Sequence, residues 1–235
     1  MIAIVTGGSK GIGLAIARAF VERGMRVVIS ARSETDLAKA VERLGGGDRV
    51  AAIRADVQRA EDAERLVRDA VQRFGGLDVL VNNAGIGRFA HVADMTPDVW
   101  REVMDTNLTG VFYCCHAAIP ELRRRGGGYI VNVSSLAGKN SFVGGGAYCA
   151  SKAGLNAFSE ALMQEVRHEN IRVSYVMPGS VATDFDHPSG DARRDDSWKL
   201  AAEDVAKVVV DLVTLDSRAL ASRVELRPSR PPKKS

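Results

Sequence analysis

The chain is short of cysteine, proline and aromatic residues, and each shortage closes off a class of protein. Its only cysteines, Cys114, Cys115 and Cys149, are odd in number, two of them adjacent, with no Cys-x-x-Cys pair. Neither a disulfide framework nor a zinc site is expected from them, and a reducing, cytoplasmic compartment fits best. His91, His116, His168 and His187 are scattered without ligand spacing, so no metal is expected. No stretch comes near the roughly 18 apolar residues of a membrane span. The start, MIAIVTGGSKGIG, lacks both the basic and the long apolar region of a secretory signal. With 7 prolines and 23 glycines among 235 residues, the chain is neither collagen-like nor of low complexity. An excess of one charge is also missing from most of it. The net +3 arises at residues 218–235, where Arg218, Arg223, Arg227, Arg230, Lys233 and Lys234 face only Glu225. A nucleic-acid footprint needs a basic patch with a reading element behind it. RPSRPPKKS offers only charges and prolines, so residues 229–235 are expected to be a flexible tail on a domain of residues 1–228. A small molecule is the expected partner, with no nucleic acid and no membrane.

What is present is an ordinary balance for a soluble globular protein, 46% hydrophobic and 26% charged. Short apolar runs alternate with segments of helical period along the whole length, without linker or repeat. Ile2–Thr6, Arg26–Ala31, Arg49–Arg54, Leu77–Asn82, Tyr129–Ser134, Ile171–Met177 and Val224–Leu226 read as strands. Between them Ile12, Ile16, Ala19 and Phe20 mark one helical face, and Glu34–Leu44, Ala60–Phe74, Ala147–His168 and Glu203–Val213 read as helices. Pro97 can open a long helix, expected to run to about the arginines before Gly126. Apolar strands without polar alternation, each followed by a helix, predict an α/β fold: a single Rossmann-type doubly wound domain of about seven mostly parallel strands with helices on both faces. The ligand crevice of such a sheet lies beyond the carboxyl ends of its strands.

Gly7, Ser9, Lys10, Gly11, Ile12 and Gly13 form a glycine-rich turn between the first strand and the first helix. Such a turn lets backbone N–H groups approach a phosphate at the positive end of the helix. A P-loop would continue from Gly13 into Lys and Ser/Thr, and Leu14-Ala15 stands there instead. The dinucleotide fingerprint is half met, since Gly11-x-Gly13 is followed by Ile16.

TGGSKGIG resembles the TGxxxGxG cofactor loop of the short-chain dehydrogenase/reductase family. Further motifs of that family recur in order: Asn82-Asn83-Ala84-Gly85, Asn107, Ser135, Tyr148-x3-Lys152 and Pro178-Gly179. The resemblance covers nearly the whole chain. It implies a cofactor site including Asn83, Ala84, Gly85, Asp56, Val57, Pro178, Gly179, Val181 and Thr183, although Asp56 could equally be a helix N-cap. In this fold an acid after the second strand holds the ribose hydroxyls of NAD, while an arginine accommodates the 2′-phosphate of NADP. The second strand here leads into Arg32, with Lys10 as a further cation, so NADP(H) is the expected cofactor.

Tyr148 and Lys152 stand four apart at the start of a helix and so share a face. A phenol with an ordinary pKa near 10 is a poor proton donor and acceptor at neutral pH. Lowering it by about three units takes about 4 kcal/mol, within reach of a close ammonium and the nicotinamide's own charge. The resemblance makes Tyr148 general acid and base and gives Lys152 the nicotinamide ribose. It also sets Ser135 on the substrate oxygen and has Asn107 hold a relay water. The implied activity is reduction of a carbonyl to an alcohol, or the reverse, without a metal. A 3-oxoacyl-[acyl-carrier-protein] reductase and a non-catalytic NADP(H) sensor are the alternatives. Relatives of the first kind usually end the last strand with an Asp-Gly-Gly-type segment, which Ser222–Pro228 departs from. The polar segment Asp184–Asp196, with Phe185 and Trp198, is expected to cover the substrate. Apolar faces on the helices of Asn107 and Tyr148 predict a homodimer or homotetramer.

Overall fold

The computed structural model describes residues 1–183, 185 and 196–232. Seven strands form one parallel sheet in the order β3-β2-β1-β4-β5-β6-β7. They are β1 (Ile2–Thr6), β2 (Arg26–Ala31), β3 (Val50–Arg54), β4 (Val79–Asn82), β5 (Gly128–Val133), β6 (Ile171–Pro178) and β7 (Arg223–Leu226). The helices are α1 (Gly11–Glu22), α2 (Glu34–Arg43), α3 (Ala60–Phe74), α4 (Pro97–Met104), α5 (Gly110–Arg124), α6 (Gly146–Val166) and α7 (Ala202–Thr214).

The strands are apolar throughout because helices cover both faces. In β1, Ala3 and Val5 pack with Leu14, Phe20 and Val209 from α1 and α7, while Ile2 and Ile4 pack with Leu66, Leu122 and Leu155 from α3, α5 and α6. Strand order reverses between β1 and β4, so the chain opens a crevice beyond their carboxyl ends.

The helix expected from Pro97 runs on to Arg124, with one π turn inside it. That turn, Asp105–Thr109, separates α4 from α5. Thr106 Oγ1 donates 2.8 Å to the Glu102 carbonyl, taking an acceptor of the regular ladder. Asn107 meanwhile bonds the backbone of Ile86 on the neighbouring loop. Single π turns of this kind recur at functional sites. The structure also places the start of the tail: β7 runs parallel to β6 and therefore ends at the crevice, where Pro231 and Pro232 line the cleft.

Candidate active site

The glycine loop is held from behind by β4. Thr6 Oγ1 accepts the N–H groups of Asn83 and Ala84 at 3.0 and 3.1 Å, and Asn83 Nδ2 donates to the carbonyls of Thr6 and Gly7 at 3.0 and 3.1 Å. Gly7 turns at φ +63°, where side chains are strained. At Gly13 a Cβ would lie 2.3 Å from the Gly7 carbonyl oxygen, so only glycine lets α1 close against the loop. Lys10, the N-cap of α1, makes no side-chain cap, which leaves the first-turn N–H groups open for a phosphate.

One cleft of about 1430 Å³ runs from this loop to α6. Every predicted site residue lines it except Gly13 and Asn107. Gly13 acts through packing, as above. Asn107 is fully buried behind the cleft wall, its Nδ2 donating to the Ile86 carbonyl (2.9 Å) and to Ser151 Oγ (3.0 Å) and its Oδ1 accepting the Ile86 N–H (2.8 Å). A Cβ on Gly85 would sit 3.2 Å from Asn107 Oδ1 and 3.7 Å from Lys152 Nζ, so the two side chains flank one glycine.

At the β2 end, Arg32 and Lys10 are exposed along the cleft, joined by Arg18. Arg18 escaped the sequence reading, although it lies seven residues after Gly11 and so returns to the same helical face. Asp56 is not the N-cap of α3, a position held by Arg59. Its Oδ1 accepts the Gln58 N–H at 3.1 Å, while its own N–H donates 2.8 Å to Asp62, whose carboxyl this bond and Arg65 hold below the usual range.

At the α6 end, Lys152 is 4% exposed and its Nζ donates 2.9 Å to the Val133 carbonyl, 5.9 Å from the centre of the Tyr148 ring. Burial draws its pKa down to about 8. Of the two adjacent serines, Ser134 turns inward, donating to Asn156 Oδ1 at 2.6 Å. Ser135 stands in extended backbone beyond β5, its Oγ accepting the Ala137 N–H at 3.1 Å. Thr183 lies against Gly11, whose Cβ would come 3.5 Å from its methyl.

Phe89, Phe142, Arg227, Pro228, Pro231 and Pro232 also line the cleft and carried no sequence signal beyond their residue type. The tail is drawn in by Leu226, whose carbonyl accepts the Gly179 N–H at 2.8 Å, and by Glu225, which pairs with Lys139 and with Arg227. Of the predicted lid, Phe185, Asp196 and Trp198 are seen, and residues 184 and 186–195 lie outside the described residues. A glycine cradle that a Cβ would fill, an uncapped helix end, cations at one end and a tyrosine–lysine pair at the other suit a dinucleotide. Among the described residues no helix is long and apolar enough to cross a membrane.

Residues 1–194 match the family model of the short chain dehydrogenases. An uncharacterised oxidoreductase of Mycobacterium bovis is 43% identical over 179 residues, 76% of this chain and 72% of that protein. A 3-oxoacyl-[acyl-carrier-protein] reductase of Synechocystis is 37% identical over 186 residues, 78% of this chain and 75% of the relative. Among solved structures, the closed form of serine dehydrogenase complexed with NADP+ superposes with a TM-score of 0.89 at 29% identity, covering 96% of this chain and 94% of that one.

Proposed function

This chain belongs to the short-chain dehydrogenase/reductase family, and from that premise we propose that it is an NADP(H)-dependent oxidoreductase interconverting a carbonyl compound and its alcohol. The observation that carries the reading is that one cleft joins Lys10, Arg18 and Arg32 to Ser135, Tyr148 and Lys152. When bound, a nicotinamide cofactor would supply the hydride, or take it up in the reverse direction.

The rest of the chemistry falls to side chains. Ser135 holds the substrate oxygen and stabilises the charge that grows on it. Tyr148 gives that oxygen its proton, completing the alcohol, and takes it back in the oxidation. Lys152 lies four residues further along the same face of α6, and its positive charge favours the phenolate that remains. Asn107 fixes the Gly85–Ile86 loop against which Lys152 rests, which makes it a positioning residue for the lysine and for any water at its back. Arg32, with Lys10 and Arg18, would hold the 2′-phosphate that distinguishes NADP from NAD.

Two variants test this. Tyr148→Phe should lose several orders of magnitude in kcat in an NADPH-oxidation assay while binding NADPH with nearly unchanged affinity, and near-normal turnover would refute the role. Arg32→Ala should lower kcat/KM for NADPH by about tenfold, the scale of one charged contact, and leave NADH unaffected. An unchanged ratio between the two cofactors would overturn the preference.

A 3-oxoacyl-[acyl-carrier-protein] reductase is the second reading, favoured by the Synechocystis relative. It is disfavoured by the proline-rich segment that lines the cleft where such relatives usually carry Asp-Gly-Gly. A non-catalytic sensor would have no use for Ser135, Tyr148 and Lys152 together on one cleft. The three free cysteines are all buried, in keeping with a cytoplasmic setting. A homodimer or homotetramer through α5 and α6 is proposed on Phe112, which is 47% exposed and clusters with Tyr113, His116 and Phe158.

A further inference from the structure

The substrate end of the cleft is made of aromatic rings in a chain that has few of them, 6% of its residues. Phe89 lies 5.6 Å from Phe142 and 5.7 Å from Tyr148, and Tyr148 lies 5.9 Å from Phe185, measured between ring centres. None of these pairs is stacked face to face: the planes meet at 58°, 81° and 53°. Tilted pairs leave ring faces open for a further ring, the arrangement that aromatic quadrupoles favour. Phe89 and Phe142 are each 48% exposed and Phe185 38%, an exposure of large apolar groups that is normal singly and informative when clustered.

The backbone is shaped to seat these rings. A Cβ on Gly87 would lie 2.9 Å from both Phe89 and Phe185, and a Cβ on Gly145 would lie 2.7 Å from Phe142. The loops that carry Phe89 and Phe142 are tied together, the Ala90 N–H donating 2.9 Å to the Gly144 carbonyl. Two glycine notches and an interloop hydrogen bond therefore hold the rings around Tyr148 before any ligand arrives. Pre-set rings of this kind bind flat groups at low entropic cost.

We propose that the carbonyl substrate carries a flat aromatic ring, seated against Phe89, Phe142 and Phe185 with its carbonyl directed at Tyr148 and Ser135. This inference rests on the carbonyl-reduction reading above and names the substrate class of that site. Substrates of equal carbon number isolate the ring: benzaldehyde, cyclohexanecarbaldehyde and heptanal, each with NADPH and the full-length protein. Benzaldehyde should exceed heptanal at least tenfold in kcat/KM, with cyclohexanecarbaldehyde between them. Phe89→Leu and Phe142→Leu keep apolar bulk but remove the flat face. Each should shrink that ratio severalfold, through a higher KM for benzaldehyde with kcat little changed.

A ratio untouched by both substitutions, or a preference for heptanal, overturns the proposal. So does a loss of self-association in these variants with selectivity intact, since the rings would then serve a second copy. Binding separates this failure from failure of the reaction. Tyr148→Phe loaded with NADP+ is titrated calorimetrically with benzyl alcohol and heptan-1-ol. Tighter benzyl alcohol binding, lost in Phe89→Leu, supports the ring site even where no aldehyde is reduced, and in that case the reaction assignment alone fails. Equal binding of the two alcohols overturns the ring site itself.

Discussion

Lys152 carries an ammonium into a site where only 4% of the residue meets solvent, with one carbonyl to receive it. The cost appears as a pKa drawn from 10.5 down to about 8. Below pH 8 both the folded and the unfolded chain keep this proton, and the full cost of burial is present. Between about 8 and 10.5 the unfolded chain binds more of it, so the cost is relieved as pH rises. Lys152→Met should therefore lose ground to the parent protein across that window by about 3 kcal/mol, the value of a shift of this size. Urea unfolding of both proteins without nucleotide, from pH 7 to 10.5, measures it, and a difference that does not move with pH would refute the argument. A kinetic role explains why such a destabilising group is kept: one turn from Tyr148, a cation with a thin hydration shell acts on the phenol in a partly dry medium.

Among the elements, the π turn at Asp105–Thr109 shows how a site can depend on a bond far away in sequence. Asn107→Leu matches the side chain in size but leaves the N–H and carbonyl of Ile86 without their partner. Each orphaned group costs about 1–3 kcal/mol, and in a chain of this length 1 kcal/mol lowers Tm by about 2–4 °C. A fall of at least 4 °C is expected by calorimetry, together with weaker NADPH binding as the Gly85–Ile86 loop shifts. Unchanged melting would remove Asn107 from this role.

The same turn marks the limit of what the sequence discloses. Strands such as Ile2–Thr6 are legible because two covered faces require an unbroken apolar run, and α3 because Gly75-Gly76 ends it. Tyr148, Lys152 and Ser135 are legible by their spacing. The π turn at Asn107 is not, since the local period of polarity hardly changes across it. Nor are Phe89 and Phe142, which lie in loops where no period operates and which meet only through the fold. The capping role considered for Asp56 is not realised: Arg59 is the N-cap of α3, and Asp56 instead donates its N–H to Asp62 and accepts the Gln58 N–H.

For the molecule as a whole, exposed large apolar side chains among the described residues gather at the cleft (Phe89, Phe142 and Phe185) and in a second patch around Phe112, while Met1, Val92, Trp100, Val143 and Leu215 are exposed as well. Phe112→Asp places a charge in that second patch. If copies of the chain meet there, light scattering should show the assembly falling to monomers with the cleft intact, whereas an unaltered mass would put the contact elsewhere. The parallel sheet also assigns Met1 and Pro232 to opposite edges. Met1 leaves from the amino edge of β1, whereas the segment after β7 threads past Gly179 and along the cleft as far as Pro232. Cargo fused directly after Pro232, whether a purification handle or a reporter, would start at the doorway through which ligands pass. The same cargo attached ahead of Met1 would trail from the far side and leave traffic undisturbed.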